Sequence, residues 1–177
     1  MHRLFVAIRP PESVCNLLVD AMDDGPDLRW VGDEQLHLTL RFIGEVERPV
    51  ANDIVDTLSA IRFPAFELRI AGVGHFERRS GGAVWVPVEP KKPVADLASK
   101  VDRACVLAGI EPEHRAFHPH ITLARWKGRD SAAARFFETR NSDLSSSPFM
   151  VNEFTVFESH LSRHGPHHQA IATYQLR

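Results

Sequence analysis

The apolar positions of this chain change rhythm repeatedly, from strand-like to helix-like and back. Leu4, Phe5, Val6, Ala7 and Ile8 form a short unbroken apolar run, which predicts a buried strand. Pro10-Pro11-Glu12-Ser13 places proline and an acidic side chain where a helix begins. It predicts a helix to about Asp23, ended by Asp24-Gly25-Pro26-Asp27. Leu36, Leu38, Leu40 and Phe42 alternate with His37, Thr39 and Arg41, a strand signature that Gly44 is expected to stop. From Pro49 to Ile61 the period lengthens, with Val50, Ile54, Val55, Leu58 and Ile61 on one helical stripe.

Strand-like Phe66 to Val73 and Ala83 to Val88 follow, joined by a Gly/Arg-rich turn through Ser80-Gly81-Gly82. They predict a hairpin with a long loop. Pro93 to Ala108 predicts a third helix, and Ile121 to Leu123 another strand. Ser131 to Phe137 predicts a short helix, and Ser145-Ser146-Ser147-Pro148 a loop. Phe149 to Glu158 and His168 to Leu176 predict two closing strands. The order is mixed rather than a strict strand–helix–strand repeat, so the expected class is α+β with largely antiparallel sheets.

Composition changes this picture little. A chain of 177 residues with 44% hydrophobic and 25% charged positions suits one soluble domain over residues 1–177. A net charge of −2 argues against non-specific coating of nucleic acid, yet leaves room for a local cation that holds one phosphate. No apolar run approaches the ~20 residues of a membrane span. The first residues read as a strand rather than a signal peptide. Cys15 and Cys105 fall at apolar phases of helices and read as reduced core thiols. A cytoplasmic protein, monomeric and without membrane contact, is expected.

One short pattern occurs twice: His37-Leu38-Thr39-Leu40 and His120-Ile121-Thr122-Leu123, nearly half the chain apart. Random order would yield about 0.03 instances of His-x-Thr-Leu from this composition. In a strand, residues i and i+2 share a face, so each histidine stands beside its threonine while the aliphatic residues face the core. Two imidazoles and two hydroxyls opening into one cleft suit in-line displacement at a phosphodiester. A neutral imidazole takes a proton from water and a protonated one gives a proton to the leaving oxygen. Threonine hydroxyls hold the non-bridging oxygens. Arg41 and Arg125 are the candidate cations. Arg41 shares the face of His37 and Thr39 by parity, whereas Arg125 reaches that face only if its strand ends or bulges after Leu123.

His37-Leu38-Thr39-Leu40-Arg41-Phe42-Ile43-Gly44 and Pro119-His120-Ile121-Thr122-Leu123-Ala124-Arg125 resemble the paired motifs of the two-histidine phosphoesterase superfamily, and within it the RNA 2′,3′-cyclic phosphodiesterases once called 2′-5′ RNA ligases. The likeness spans nearly the whole chain. It is loosest in the tail, where Gly165-Pro166-His167-His168 stands in place of a commonly aromatic residue. The resemblance implies a bilobal α+β fold, with two sheets related by a pseudo-twofold axis and the motifs facing across a groove. It implies hydrolysis of a 2′,3′-cyclic phosphate, on an RNA end or a small nucleotide, to a 2′-phosphate without metal or other cofactor. His37 would be the acid and His120 the base; Thr39, Thr122 and Arg125 would bind phosphate.

Other readings compete. His118-x-His120 and the late cluster His160, His164, His167 and His168 raise a metal-dependent hydrolase, although no carboxylate or cysteine accompanies them at ligand spacing and Gly165-Pro166 predicts an exposed turn there. A non-catalytic RNA-end binder is another, and a ligase running the chemistry in reverse a third. Phe5, Phe42, Phe76, Trp85 and Trp126 could stack on a base, but each reads first as core.

Overall fold

A computed structural model describes residues 1–23 and 25–177. Asp24, one of the four residues expected to end the first helix, lies outside the described residues. The elements in chain order are β1 (His2–Ile8), α1 (Glu12–Ala21), β2 (Arg29–Trp30), a 3-10 turn (Asp33–Gln35), β3 (Leu38–Val46), α2 (Arg48–Ser59), β4 (Phe66–Ile70), β5 (Gly74–Arg78), β6 (Gly81–Glu89), α3 (Lys91–Leu107), β7 (His120–Lys127), α4 (Ala132–Arg140), β8 (Phe149–Val151), β9 (Glu153–Ser162) and β10 (Gly165–Gln175).

The fold is α+β, built on a curled antiparallel sheet with the strand path β10-β9-β1-β3-β7-β6-β4-β8. Short β2 adds to β7 and β5 adds to β6. The two sheets expected from the sequence are two halves of this one path. A single residue pair, Leu38 opposite Ile121, joins them. Each half therefore presents a motif strand, β3 or β7, at its inner edge.

The helices cover the sheet because their apolar stripes match it. Leu97, Val101 and Cys105 of α3 are fully buried, as are Ile54 and Leu58 of α2; α3 packs on both β3 and α2. They join Leu4, Leu38, Leu40, Val86, Ile121 and Leu123 in one continuous core. Each such side chain contributes about 1.5–3 kcal/mol of transfer free energy. Cys15 and Cys105 are buried and unpaired to each other, as expected. Burial pushes the Cys105 thiol up to about 11, and raises that of Cys15, so both stay protonated at neutral pH.

Three expected boundaries move for physical reasons. Gly44 does not stop β3: its φ of 92° accommodates an irregular register against β1 and the strand continues to Val46. The long hairpin loop contains a strand of its own, β5, which turns tightly into β6, so Gly81 and Gly82 are strand residues. The late histidine cluster is not an exposed turn as a whole. His160 lies in β9, His167 and His168 lie in β10, and only His164 sits in the turn between them.

Candidate active site

Both motifs sit at the middle of the sheet because Leu38 and Ile121 pair there. Carried one residue either way, that antiparallel register sets His37 across from Thr122 and Thr39 across from His120. Directly opposed strand residues have their Cβ atoms about 4.5–5.5 Å apart. The two histidine–threonine pairs thus form one four-residue constellation, with the imidazoles on its diagonal.

Both motif strands also bulge one residue past the threonine. In β7, Thr122 pairs with Trp85 and Ala124 with Val84, so Leu123 is the extra residue. The face parity flips there, leaving Leu123 and Ala124 buried and Arg125 exposed on the side of Thr122. This is the bulge that Arg125 requires. In β3, Thr39 pairs with Ala7 and Arg41 with Val6, so Leu40 is extra and the same flip follows. It removes Arg41 from the histidine face, against the parity expectation, and puts Phe42 there. Arg41 is only 8% exposed; it pairs with Asp102 and donates to the carbonyls of Glu111 at 2.6 Å and Phe42 at 3.1 Å.

The two imidazoles are wired alike. His37 Nδ1 lies 2.5 Å from the carbonyl oxygen of Gln35, and His120 Nδ1 lies 2.5 Å from that of His118. A carbonyl only accepts, so each Nδ1 carries the proton and donates it, which leaves Nε2 as the nitrogen available for chemistry. Aromatic rings fix both in place. Phe5 and His168 pack on His37 at 4.9 and 5.3 Å, and Phe76 and Trp85 pack on His120 at 5.4 and 5.6 Å.

Burial pushes His37 down to about 4, despite its bond to Gln35; His168, Arg125 and Arg9 add to the shift. Burial likewise lowers His120, with His118 and Arg125 adding to it. Both are therefore neutral at pH 7 in the free protein. The charge of Arg125 contributes to the lowering of both histidines.

A groove of about 670 Å³ opens beside the constellation, lined by Thr39, Phe42, Phe76 and His120 among others. His37, Thr122 and Arg125 stand outside that lining. Phe42 and Phe76, expected in the core, are 45% and 37% exposed, whereas Phe5 and Trp126 are buried as expected. His168, read in the sequence only as one of the late histidine cluster, is a neighbour of His37. The only signal was its place where an aromatic ring is common. Among the described residues, no three His, Cys, Asp or Glu side chains stand together as metal ligands would. Among them, too, no helix is long and apolar enough to cross a membrane.

Trp85 can lie beside His120 only because Gly74 faces it. A Cβ built at Gly74 would meet the indole ring at 2.5–2.9 Å. Gly74→Ala is expected to destabilise the fold by about 1–3 kcal/mol and to lower turnover as Trp85 shifts. A thermal melt and an activity assay on one preparation check this; an unchanged melting temperature would contradict it.

A curled antiparallel sheet with two His-x-Thr-Leu strands meeting at its centre is a phosphoesterase fold. It matches a solved structure described as a phosphoesterase with TM-score 0.82 at 26% identity, covering 99% of this chain and 98% of that one. The chain belongs to the 2′-5′ RNA ligase superfamily, whose family model matches residues 10–163. It is 37% identical over 145 residues to a protein of Aeropyrum pernix named RNA 2′,3′-cyclic phosphodiesterase, covering 80% of this chain and 82% of that protein. It also matches the structure of E. coli LigT complexed with 3′-AMP, with TM-score 0.82 and 26% identity over 99% of this chain and 98% of the other.

Proposed function

We propose that this protein, acting as one unit over residues 1–177, hydrolyses a terminal 2′,3′-cyclic phosphate to a 2′-phosphate, using two histidines and no metal ion. The activity follows from the family and from relatives named for it. The mechanism rests on one observation above the rest: His37 and His120 share the same Nδ1-to-carbonyl wiring, so in each ring Nε2 is the nitrogen left free for proton transfer.

The family resemblance assigns His120 as base and His37 as acid. His120 Nε2 takes a proton from water as the water oxygen bonds to phosphorus. The bond from phosphorus to O3′ breaks, and His37 Nε2 delivers its proton to O3′, leaving the phosphate on O2′. Thr39, Thr122 and Arg125 hold the non-bridging oxygens, where the developing charge is greatest. The anionic cyclic phosphate favours a proton on the acid, which the free site does not.

The sign of the pH dependence follows. kcat/KM reports the free protein, where the base must be neutral and the acid charged. Both histidines are lowered, so the kcat/KM maximum is expected below pH 6.5, with a fall above it as the acid loses its proton. The basic limb of kcat, which reports the bound state, should lie at higher pH. A pH–rate profile on a 2′,3′-cyclic nucleotide tests this, and a kcat/KM maximum above pH 7 would contradict the lowering of the two histidines in the free protein.

A further inference from the structure

The groove beside His120 is longer than the constellation it serves. Besides Phe76 its lining includes Arg78, Glu113 and Arg115. Residues i and i+2 of a strand share a face and stand about 6.6 Å apart, so Arg78 lies one such step along β5 beyond the ring that packs on His120.

The charges of this lining nearly all cancel locally. Arg41 is paired with Asp102. Arg115 grips Glu113 through Nε and Nη2, both at 3.1 Å, and that carboxylate is held down to about 2 by the guanidinium. Glu77, which also lines the groove, is engaged by His75 at 3.4 Å and Arg135 at 3.8 Å. Among the described residues, no carboxylate stands within ion-pairing distance of Arg78, which is exposed and lines the same groove. The groove thus runs from an imidazole and a hydroxyl, past the part-exposed rings of Phe42 and Phe76, to one uncompensated guanidinium. Part-exposed rings offer a base a surface to stack on, and a guanidinium recognises a phosphodiester through paired N–H donors.

We infer that Arg78 holds the phosphodiester on the 5′ side of the terminal nucleotide, so that the groove selects RNA ends over free cyclic mononucleotides. This rests on the proposed function for its substrate chemistry, but concerns a separate part of the groove. A cyclic mononucleotide has no group to offer Arg78; an oligonucleotide does.

The test compares a 2′,3′-cyclic mononucleotide with a trinucleotide ending in the same cyclic nucleotide, using wild type, Arg78→Gln and Arg78→Lys. Wild type is expected to prefer the trinucleotide in kcat/KM. Arg78→Gln should lower trinucleotide kcat/KM about tenfold, the size of one charge-assisted contact, mainly through KM, and leave the mononucleotide within about twofold. Arg78→Lys should recover most of the loss. The slope of log kcat/KM against log salt for the trinucleotide should become shallower by about 0.7, the value for one single-strand phosphate contact. An equal loss on both substrates, or none on the trinucleotide, overturns the inference. If wild type turns over neither substrate, the proposed function fails instead. Titration of a 3′-phosphorylated trinucleotide against a 3′-phosphorylated mononucleotide, with wild type and Arg78→Gln, then decides the subsite by binding alone.

Discussion

His37→Ala and His120→Ala are each expected to lower kcat by about 10²–10⁴-fold, the range for loss of one positioned proton-transfer group. The wiring explains why neither imidazole is replaceable. Each ring is held by its Nδ1 bond and by two packed rings, so no neighbouring group can swing Nε2 into the same place. The double variant should lose little more than the worse single one, because acid and base act in one step and their effects are not additive. The imidazoles are only half-buried, so circular dichroism and the melting temperature should change little. Activity within threefold of wild type in either variant would remove that histidine from the mechanism.

The largest expected stability effect lies behind the site. Asp102→Ala leaves Arg41, 8% exposed, without its carboxylate. Breaking a buried pair by removing one partner costs about 3–5 kcal/mol. Asp102 is itself 27% exposed, so water can replace part of the interaction and about 3 kcal/mol is expected. The Asp102 carboxylate also accepts from the backbone N–H of Glu113 at 3.1 Å, so the 111–118 segment along the groove should loosen too. Urea unfolding measures this as a lower midpoint with unchanged slope. Replacing both partners with apolar residues, as in Arg41→Met/Asp102→Leu, should recover most of the loss, because the uncompensated charge is gone. A loss below about 1 kcal/mol for Asp102→Ala would mean that Arg41 finds enough solvation without it.

What could be read from the sequence divides along local and non-local physics. The histidine–threonine pairs were legible because strand parity is a local rule and the motif occurs twice. The helices were legible because their stripes and proline starts are local too. Which of Arg41 and Arg125 shares a face with its threonine is decided by two bulges, at Leu40 and Leu123, that no residue type announces. Only the register against β1 and β6 reveals them. His168 reads in the sequence as one of a late histidine cluster rather than as a neighbour of His37, because β10 returns beside β9 and reaches His37 only through the sheet order β10-β9-β1-β3. Phe42 and Phe76 look like core in the sequence because hydrophobicity does not distinguish a core face from a groove face. The joining of two expected sheets by one pair, Leu38 with Ile121, is likewise a fact of tertiary packing.

The central claim is metal-independent conversion of a cyclic phosphate by two histidines. It is tested most directly by incubating an oligoribonucleotide ending in a 2′,3′-cyclic phosphate with the wild-type protein in excess chelator and identifying the terminal phosphate formed. Undiminished conversion to the 2′-phosphate is the predicted result. Loss of activity in chelator with recovery on adding a divalent metal, or a 3′-phosphate product, would contradict it.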